Sequence, residues 1–419
     1  MKKIVSAALV GAMVAGAFAA DAKITLNYRT KLDAFAYTKT DDGAGTEATT
    51  IEWLDWEGYD GAGKQTATSP SDTFKFVLNG DKAGATFAAN INTNASSYVL
   101  NQYSAWMKWE LGPGELKLES GNWKDGYADG AYRVKKDVDA QNAEGQDFER
   151  FKLGSILKGS KGLTMVDNLG GTNSALSSYA EYSLKAGEDI GLKFLLGGVY
   201  NAFDTTTDDD TTTYYDSYPV ARVQLAMDIL NAEVIYKKLA PRYNTFALYV
   251  MPKLMDTLTL NVGGALETYS GDKDYTDWGF DLRARFQATS ELSITFFTNV
   301  SGTNLDAGRK IASGLAGHKG TEGYATATAF KTAMWNNLSA RYKVNDLLTA
   351  TLNVGLITPL SKVDGDDNSY SPEWRVTPAV QIYAASNASI WAGVALSGTS
   401  VEDASVFAVQ VPVIFRVKM

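Results

Sequence analysis

The chain of 419 residues contains no cysteine and a single histidine. Without cysteine no disulfide can form, so packing and hydrogen bonds must stabilise the fold alone. One histidine, His318, excludes a two-histidine metal site, and no flanking motif supports a Ser-His-Asp arrangement. The sequence therefore predicts that the protein is not an enzyme, and it implies no cofactor.

Basic residues are also in the minority. Lys and Arg number 39 against 48 Asp and Glu, which gives a net charge of -9. A nucleic acid is not predicted as a partner, because binding to phosphates requires a basic footprint. The acidic residues concentrate in segments rich in Gly, Thr and Asn, such as 204–213 and 364–368, which is typical of solvated loops.

Long apolar runs are missing beyond the first twenty residues. Met1-Lys2-Lys3 is basic, residues 4–19 are apolar, and the run closes with the small-residue pattern Ala17-Phe18-Ala19. This is the layout of a secretory signal peptide. An uncleaved anchor is the alternative, but the run is short for a bilayer span of about 20 residues. We predict a signal peptide at 1–19 and a mature domain at 20–419.

What the sequence has instead is strict alternation of apolar and polar residues from end to end. Successive side chains of a strand point to opposite faces, so the pattern predicts strands with one apolar and one polar face. The apolar set of the first such segment is Ile24, Leu26, Tyr28, Leu32, Ala34 and Ala36, and the polar set is Thr25, Asn27, Arg29, Lys31 and Asp33.

Short and long connections alternate between these segments. Tight turns are predicted at 112–114, 186–191, 253–256, 345–346 and 386–387. Long polar loops are predicted at 39–72, 124–149, 203–215, 270–277, 301–331 and 358–373. Short turns at one end of the strands and long loops at the other are the layout of an outer-membrane barrel.

The predicted fold class is all-β, a transmembrane antiparallel up-and-down β-barrel of about 18–20 strands, with short periplasmic turns and long extracellular loops. A secreted β-sandwich or β-helix would alternate in the same way, but it would need a second sheet to cover each apolar face. Pro378 and Pro412 fall inside predicted strands. Each lacks an N–H donor, so we expect a bulge or a local register defect at both.

The alternating pattern, over essentially the whole mature chain, resembles bacterial outer-membrane β-barrel porins. The hairpin of residues 103–108 and 116–123, which turns through Gly112-Pro113-Gly114, is similar to hairpins of phosphate-selective-porin-like and related barrel families. The last segment, from Phe407 to Val417, resembles the strand that the barrel-assembly machinery reads, although the chain ends in Met419 instead of an aromatic residue. The resemblance implies a diderm outer membrane, contact with its lipid, and a homo-oligomer as in many porins.

The polar face predicts a pore lining of mixed charge. Its basic members are Arg29, Lys31, Lys108, Lys117, Arg222, Lys237, Arg283, Arg285, Arg341, Lys343 and Arg375. Its acidic members are Asp33, Glu110, Glu119, Glu181, Asp228, Glu233, Glu267 and Asp281. The modest basic excess indicates a slight anion preference; pairing across strands that only rigidifies the wall is the alternative.

These features predict a channel for passive diffusion of small hydrophilic solutes. Residues 124–150 either fold inward as a constriction or form a plain surface loop. A function of another class is an adhesin or surface antigen, in which the loops bind and the barrel is an anchor. An open lumen would favour the channel, and a plugged lumen would favour the anchor.

Overall fold

The computed structural model describes residues 21–56, 73–92, 97–122, 157–158, 176–187, 189–207, 210–240, 243–270, 274–311, 329–367 and 369–418. Within these ranges the strands form one antiparallel sheet. The same ranges contain no helix that is long and apolar enough to cross a membrane.

The strands are β1 (Asp21–Asp42), β2 (Glu47–Trp56), β3 (Thr73–Asn79), β4 (Ala83–Asn92), β5 (Ser97–Leu111), β6 (Gly114–Asn122), β7 (Leu157–Lys158), β8 (Leu176–Lys185), β9 (Gly191–Thr207), β10 (Asp210–Ala226) and β11 (Leu230–Ala240). They continue with β12 (Tyr243–Pro252), β13 (Leu258–Tyr269), β14 (Tyr275–Gln287), β15 (Leu292–Thr303), β16 (Arg309–Ile311), β17 (Ala329–Lys343), β18 (Leu348–Lys362), β19 (Glu373–Ala385), β20 (Ala388–Gly393), β21 (Ala395–Val401) and β22 (Ala404–Lys418).

The described strands close into a barrel of eighteen wall positions. β7 and β16 are short segments of loops, β2 and β3 share one side of β1, and β20 and β21 follow each other between β19 and β22. Counting each of these two pairs as one strand, the ring runs through neighbours in chain order and β22 pairs back onto β1. The predicted range of 18–20 strands is confirmed, and the even number brings both described ends to the same rim.

The five predicted tight turns all lie at that rim, between β5 and β6, β8 and β9, β12 and β13, β17 and β18, and β19 and β20. At the opposite rim the longest connections follow β6 and β15. We call the two ends of the barrel the turn rim and the loop rim.

Two of the predicted long loops are wrong. The segment 39–72 contains β2, which pairs with β1 after a tight turn, and the segment 203–215 lies mostly within the β9–β10 ladder, which continues to Thr207 and Asp210. Both segments are rich in threonine, which has high strand propensity. A polar hairpin and a polar loop have the same composition, so composition alone misassigned them. The predicted loop 124–149 lies outside the described residues.

The strands carry their apolar side chains on the outside of the barrel. Leu196 and Val234 are 67% and 53% exposed, whereas Glu233 and Glu267, on the other face, are 1% and 0% exposed. A water-soluble protein has the reverse distribution, with its charged residues at the surface. An apolar outer surface around a polar interior is the arrangement of a transmembrane β-barrel.

The alternation changes phase within β1. Its pairing with β22 shifts between Asp33 and Ala36, and both of these residues are buried. A β-bulge adds one residue to a strand and reverses which face the following residues occupy. The prediction that Ala36 shares the outer face with Leu32 is therefore wrong.

The predicted local defect in strand pairing is confirmed at both prolines. The defect at Pro378 lies beside Val394, between the end of β20 and the start of β21. The Val394 amide donates to the Pro378 carbonyl at 3.0 Å. In an antiparallel pair the return bond would come from the amide of Pro378, which proline lacks. Pro412 pairs with Asp33 at the β1 bulge. The two missing N–H donors thus interrupt the hydrogen-bond ladder of the wall where Pro378 and Pro412 pair with their neighbouring strands.

Candidate functional site on the inner wall

The candidate site is the inner wall, where alternate residues of neighbouring strands meet across the ladder. β6, β8, β9 and β10 form what we call the paired sector. Lys117 Nζ lies 2.8 Å from Glu119 Oε2 and donates to Tyr179 Oη at 2.9 Å. The Tyr179 hydroxyl in turn donates to Glu119. The register places Tyr179 directly opposite Glu119, so these three side chains form a closed cluster.

A second cluster of the paired sector is centred on Glu181. Arg222 Nη2 lies 2.9 Å from Glu181 Oε2, and Lys193 Nζ lies 4.0 Å from the other carboxylate oxygen. Arg222 is only 8% exposed. A charge at that depth needs its partner, because burial removes most of its hydration. In this sector opposite charges therefore cancel by direct contact.

Further around the wall the buried carboxylates accept hydrogen bonds from neutral donors. The Gln224 amide donates to Glu233, and the Thr245 hydroxyl donates to Glu267 Oε2 at 3.4 Å. Asn299 donates to Asp281 in the same way. Hydrogen bonds to the charged form of a carboxylate stabilise it without adding a cation.

The turn-side half of β14 and β17 carries three guanidinium groups, and we call Arg283, Arg285 and Arg341 the arginine sector. Arg285 and Arg341 each lie two residues from the turn-side end of their strand. The acidic Asp277 lies at the other end of β14, two residues from the loop rim. The acidic residues of β14 therefore lie on the loop side of its two arginines, with Asp281 two residues from Arg283.

Arg341 is held by a neutral group. Its Nη2 donates to the Tyr383 hydroxyl at 2.7 Å, and its Nη1 is buried without a hydrogen-bond partner in the described part of the chain. Arg375, on β19, likewise donates from Nε to Thr377 Oγ1 at 3.2 Å. The contact with Tyr383 satisfies a donor of Arg341 but leaves the positive charge of that guanidinium in place.

A cavity of ≈ 510 Å³ opens at the turn rim beside the arginine sector, and Arg285, Arg341, Lys343 and Tyr383 line it. Lys343 Nζ lies 2.6 Å from Asp346 Oδ1, so these two charges cancel. The hydrogen bond and the charge of Lys343 hold the pKa of the Asp346 carboxyl below its usual value. Arg285 and Arg341 are the two other cationic side chains in the lining.

Glu291, in the turn between β14 and β15, also lines this cavity. The hydroxyls of Ser290 and Thr289 donate to its carboxylate and keep its pKa below the usual value. Glu291 therefore stays ionised at neutral pH, with its hydrogen bonds directed into its own turn.

The other predicted lining residues differ in how deeply their side chains are buried. Asp33, Arg283 and Arg375 are buried. Lys108 pairs with Glu115 at 3.2 Å, and Glu110 pairs with Lys82 at 3.3 Å. Glu110 and Lys343 are exposed at the turn rim. The side chains of Arg29, Lys31 and Lys237 are not among those that the structure describes.

One predicted lining residue is misplaced, and two fully buried acidic residues were missed. Asp228 lies in the turn after β10, which ends at Ala226, so its carboxylate is exposed beyond the wall. Asp277 and Glu373 are fully buried strand residues, although the sequence placed them at the ends of predicted loops. Asp277 lies an even number of residues from Asp281, and Glu373 lies an even number from Arg375. Residues spaced in this way share one face of a strand, so the spacing could have identified both as inner-wall residues.

The connection after β6 reaches across the loop rim. Leu157 and Lys158 of β7 pair with Ile311 and Lys310 of β16, which itself pairs with β17. β17 lies eight wall positions from β8, close to the opposite side of a ring of eighteen. The predicted constriction, residues 124–150, belongs to this connection but lies outside the described residues, as does His318.

No protein-family model and no curated protein match the chain. Among solved structures it is similar to Pseudomonas aeruginosa OccK11 (OpdR), with a TM-score of 0.50 and 10% identity over 95% of this chain and 96% of that one. Pseudomonas aeruginosa OccK3 (OpdO) gives 0.49 and 9% over 95% and 96%, and a BenF-like porin from Pseudomonas fluorescens Pf-5 gives 0.46 and 11% over 95% and 98%. The similarity to OccK11 shows a shared barrel fold.

Proposed function

We propose that the chain is a porin of a diderm outer membrane, through which small hydrophilic solutes diffuse passively. The observation that carries the proposal is the inverted barrel, with exposed Leu196 and Phe246 outside and buried Glu233 and Glu267 inside. Exposed apolar area costs about 25 cal/mol per Å² in water, so the outer face requires lipid. A closed ring also satisfies the backbone within a bilayer.

The interior supports a water-filled lumen. Barrel diameter grows with strand number, and porins with 16 to 18 strands leave an aqueous channel. The inner face here carries arginine, lysine and carboxylate side chains on most wall strands, and such groups require water or one another. We infer that hydrated solutes of low mass cross along this face, and enzymatic chemistry is not part of the proposal.

A slight anion preference is part of the proposal, and the arginine sector supports it. Arg285 and Arg341 line the cavity at the turn rim, whereas the third cation, Lys343, is paired with Asp346. Basic side chains around a pore favour anions. The similarity of the 103–123 hairpin to phosphate-selective-porin-like families stays a prediction.

The proposal extends to export and assembly, on the sequence patterns at residues 1–19 and in β22. We propose that residues 1–19 are cleaved as a signal peptide and that β22 presents the signal for the barrel-assembly machinery. Phe407 and Phe415 of β22 are exposed on the outer face, where an insertion factor can reach them. The homo-oligomer stays a prediction as well.

Single-channel recording tests the proposal. Residues 20–419, folded in detergent and added to a planar lipid bilayer, should give discrete current steps in potassium chloride. Under a salt gradient the sign of the reversal potential should indicate a permeability to chloride above that to potassium. Silence from protein shown to be inserted and β-folded would refute the channel and favour a barrel that anchors loops.

A further inference from the structure

A hydrogen-bonded chain crosses the inner wall from β20 to β17 and ends at Arg341. Gln381 Nε2 donates to Ser389 Oγ at 3.2 Å, and the Tyr383 hydroxyl donates to Gln381 Oε1 at 2.7 Å. Arg341 Nη2 donates to the same Tyr383 oxygen at 2.7 Å. Gln381 and Ser389 are both buried, and the relay joins β20, β19 and β17 by reaching across β18, which lies between the last two.

The direction of this relay is set from its buried end. Because Gln381 donates its amide to Ser389, its carbonyl oxygen faces Tyr383 and accepts the phenolic hydrogen. A phenol has a single hydrogen, so its oxygen is left to accept from Arg341. Each link thus fixes the orientation of the next one.

We propose that Tyr383 is a positioning residue, which holds the Arg341 guanidinium against the wall of the turn-rim cavity and thereby sets the ion selectivity of that mouth. The inference rests on the proposed channel function. A free arginine side chain samples many rotamers. Fixing one edge to a neutral oxygen orders the side chain and retains its full charge for a passing anion.

The surroundings of Arg341 favour this role over simple strand pairing. Its Nη1 has no partner in the described part of the chain, and Arg285 lines the same cavity. Lys343, a third cation of the cavity, is exposed and paired with Asp346. Arg341 is therefore a cation of this cavity whose position the wall itself controls through a neutral group.

The test compares reversal potentials of the folded mature chain under a potassium chloride gradient. Tyr383→Phe removes the hydroxyl and keeps the ring, so the chloride-to-potassium permeability ratio should fall toward that of Arg341→Gln, by roughly twofold. Gln381→Leu, one link further back, should lower the ratio by less. The size of the current steps should stay close to that of the unmodified protein.

The matched control is Tyr342→Phe. Tyr342 follows Arg341 directly but faces the lipid, where it is 50% exposed. The same loss of a hydroxyl there should leave the reversal potential unchanged. A shift of equal size in Tyr342→Phe would show a general effect on the barrel and overturn the positioning role.

Two further outcomes separate this inference from the proposed function. If Arg341→Gln lowers the ratio and Tyr383→Phe does not, the channel and its anion preference stand and the positioning role is wrong. If the unmodified channel shows no anion preference, Arg341 does not set selectivity and the inference falls, while the current steps still establish the channel.

A chemical readout works even for a barrel that carries no current. Phenylglyoxal modifies arginine, and mass spectrometry of the folded protein in detergent reports the rate at Arg341. Release of the guanidinium in Tyr383→Phe should raise that rate severalfold over the unmodified protein and Tyr342→Phe. Equal rates in all three proteins would contradict the relay.

Discussion

The paired sector and the arginine sector use the same residue types on the same alternating face, yet they handle charge differently. In the paired sector Glu181 contacts both Arg222 and Lys193. In the arginine sector Arg341 contacts the neutral Tyr383, and Asp277 lies toward the loop rim. A charge that is cancelled in contact stiffens the wall, whereas a charge that is separated from its counterpart leaves a field in the lumen.

The difference also shows how tyrosine is used on the two sides. Tyr179 lies between Lys117 and Glu119 and closes an ion pair. Tyr383 orients Arg341 without neutralising it. The same side chain is thus part of a rigid cluster in one sector and a positioning group in the other.

The largest expected effect is on stability, in the paired sector. Glu181→Ala removes the carboxylate from the buried Arg222, and an uncompensated buried charge costs about 3 kcal/mol. Urea unfolding of the detergent-folded barrel, followed by tryptophan fluorescence, measures the loss. Glu47→Ala is the control, because the Lys39–Glu47 pair is exposed and its removal should cost less than about 1 kcal/mol. Equal losses would remove the distinction between buried and exposed pairs.

The second prediction concerns selectivity and compares the two sectors directly. Arg285→Gln combined with Arg341→Gln removes two cations from one cavity, so the chloride-to-potassium ratio should drop roughly twofold or more. Lys117→Gln combined with Glu119→Gln leaves the net charge unchanged, and its ratio should stay near that of the unmodified channel. Reversal potentials measure both ratios, and similar shifts in the two double variants would break the comparison.

The third prediction concerns Tyr179. Tyr179→Phe deletes one hydroxyl from the Lys117–Glu119 cluster and should cost about 1 kcal/mol of stability. Because Lys117 and Glu119 still cancel each other in contact, the reversal potential should stay the same, in contrast to Tyr383→Phe. A clear change of selectivity in Tyr179→Phe, seen in the same recordings, would mean that tyrosines of both sectors control ions.

The smallest effect is expected from pH at the turn rim. Lys343 lowers the pKa of Asp346, so Asp346 loses its charge only when the pH falls below its ordinary value of 3.8. Stability from this pair is present above that range and is lost as the pH falls through the lowered pKa. Anion preference should rise over the same interval, because the cavity mouth then loses the negative charge of Asp346.

Asp346→Asn should produce that rise already at neutral pH and remove the pH step. Reversal potentials recorded between neutral pH and about pH 3 measure both effects, in a range around the ordinary pKa of a carboxyl. An Asp346→Asn channel that kept the acid step of the unmodified protein would assign the step to another group, such as Glu291.

Much of the fold could be predicted from the sequence. Alternation identified the inner face at Arg222, Arg283 and Arg375, because side-chain direction in a strand depends only on parity. Prediction failed at Ala36, where a bulge resets the parity, and at Asp277 and Glu373, where polar strand ends have the composition of loops. These errors share a cause, since a single sequence does not show where a ladder stops or shifts.

The sequence by itself determined that this chain forms strands with one apolar and one polar face, because the period of side-chain direction is local. The closure of these strands into a ring is a property of the tertiary structure, in which β22 pairs with β1. Only the tertiary structure decided which charges meet. Glu181 and Arg222 are 41 residues apart in sequence. Arg341 and Tyr383 are 42 residues apart. Their contacts depend on the register between strands and on strand order around the ring, which no local pattern encodes.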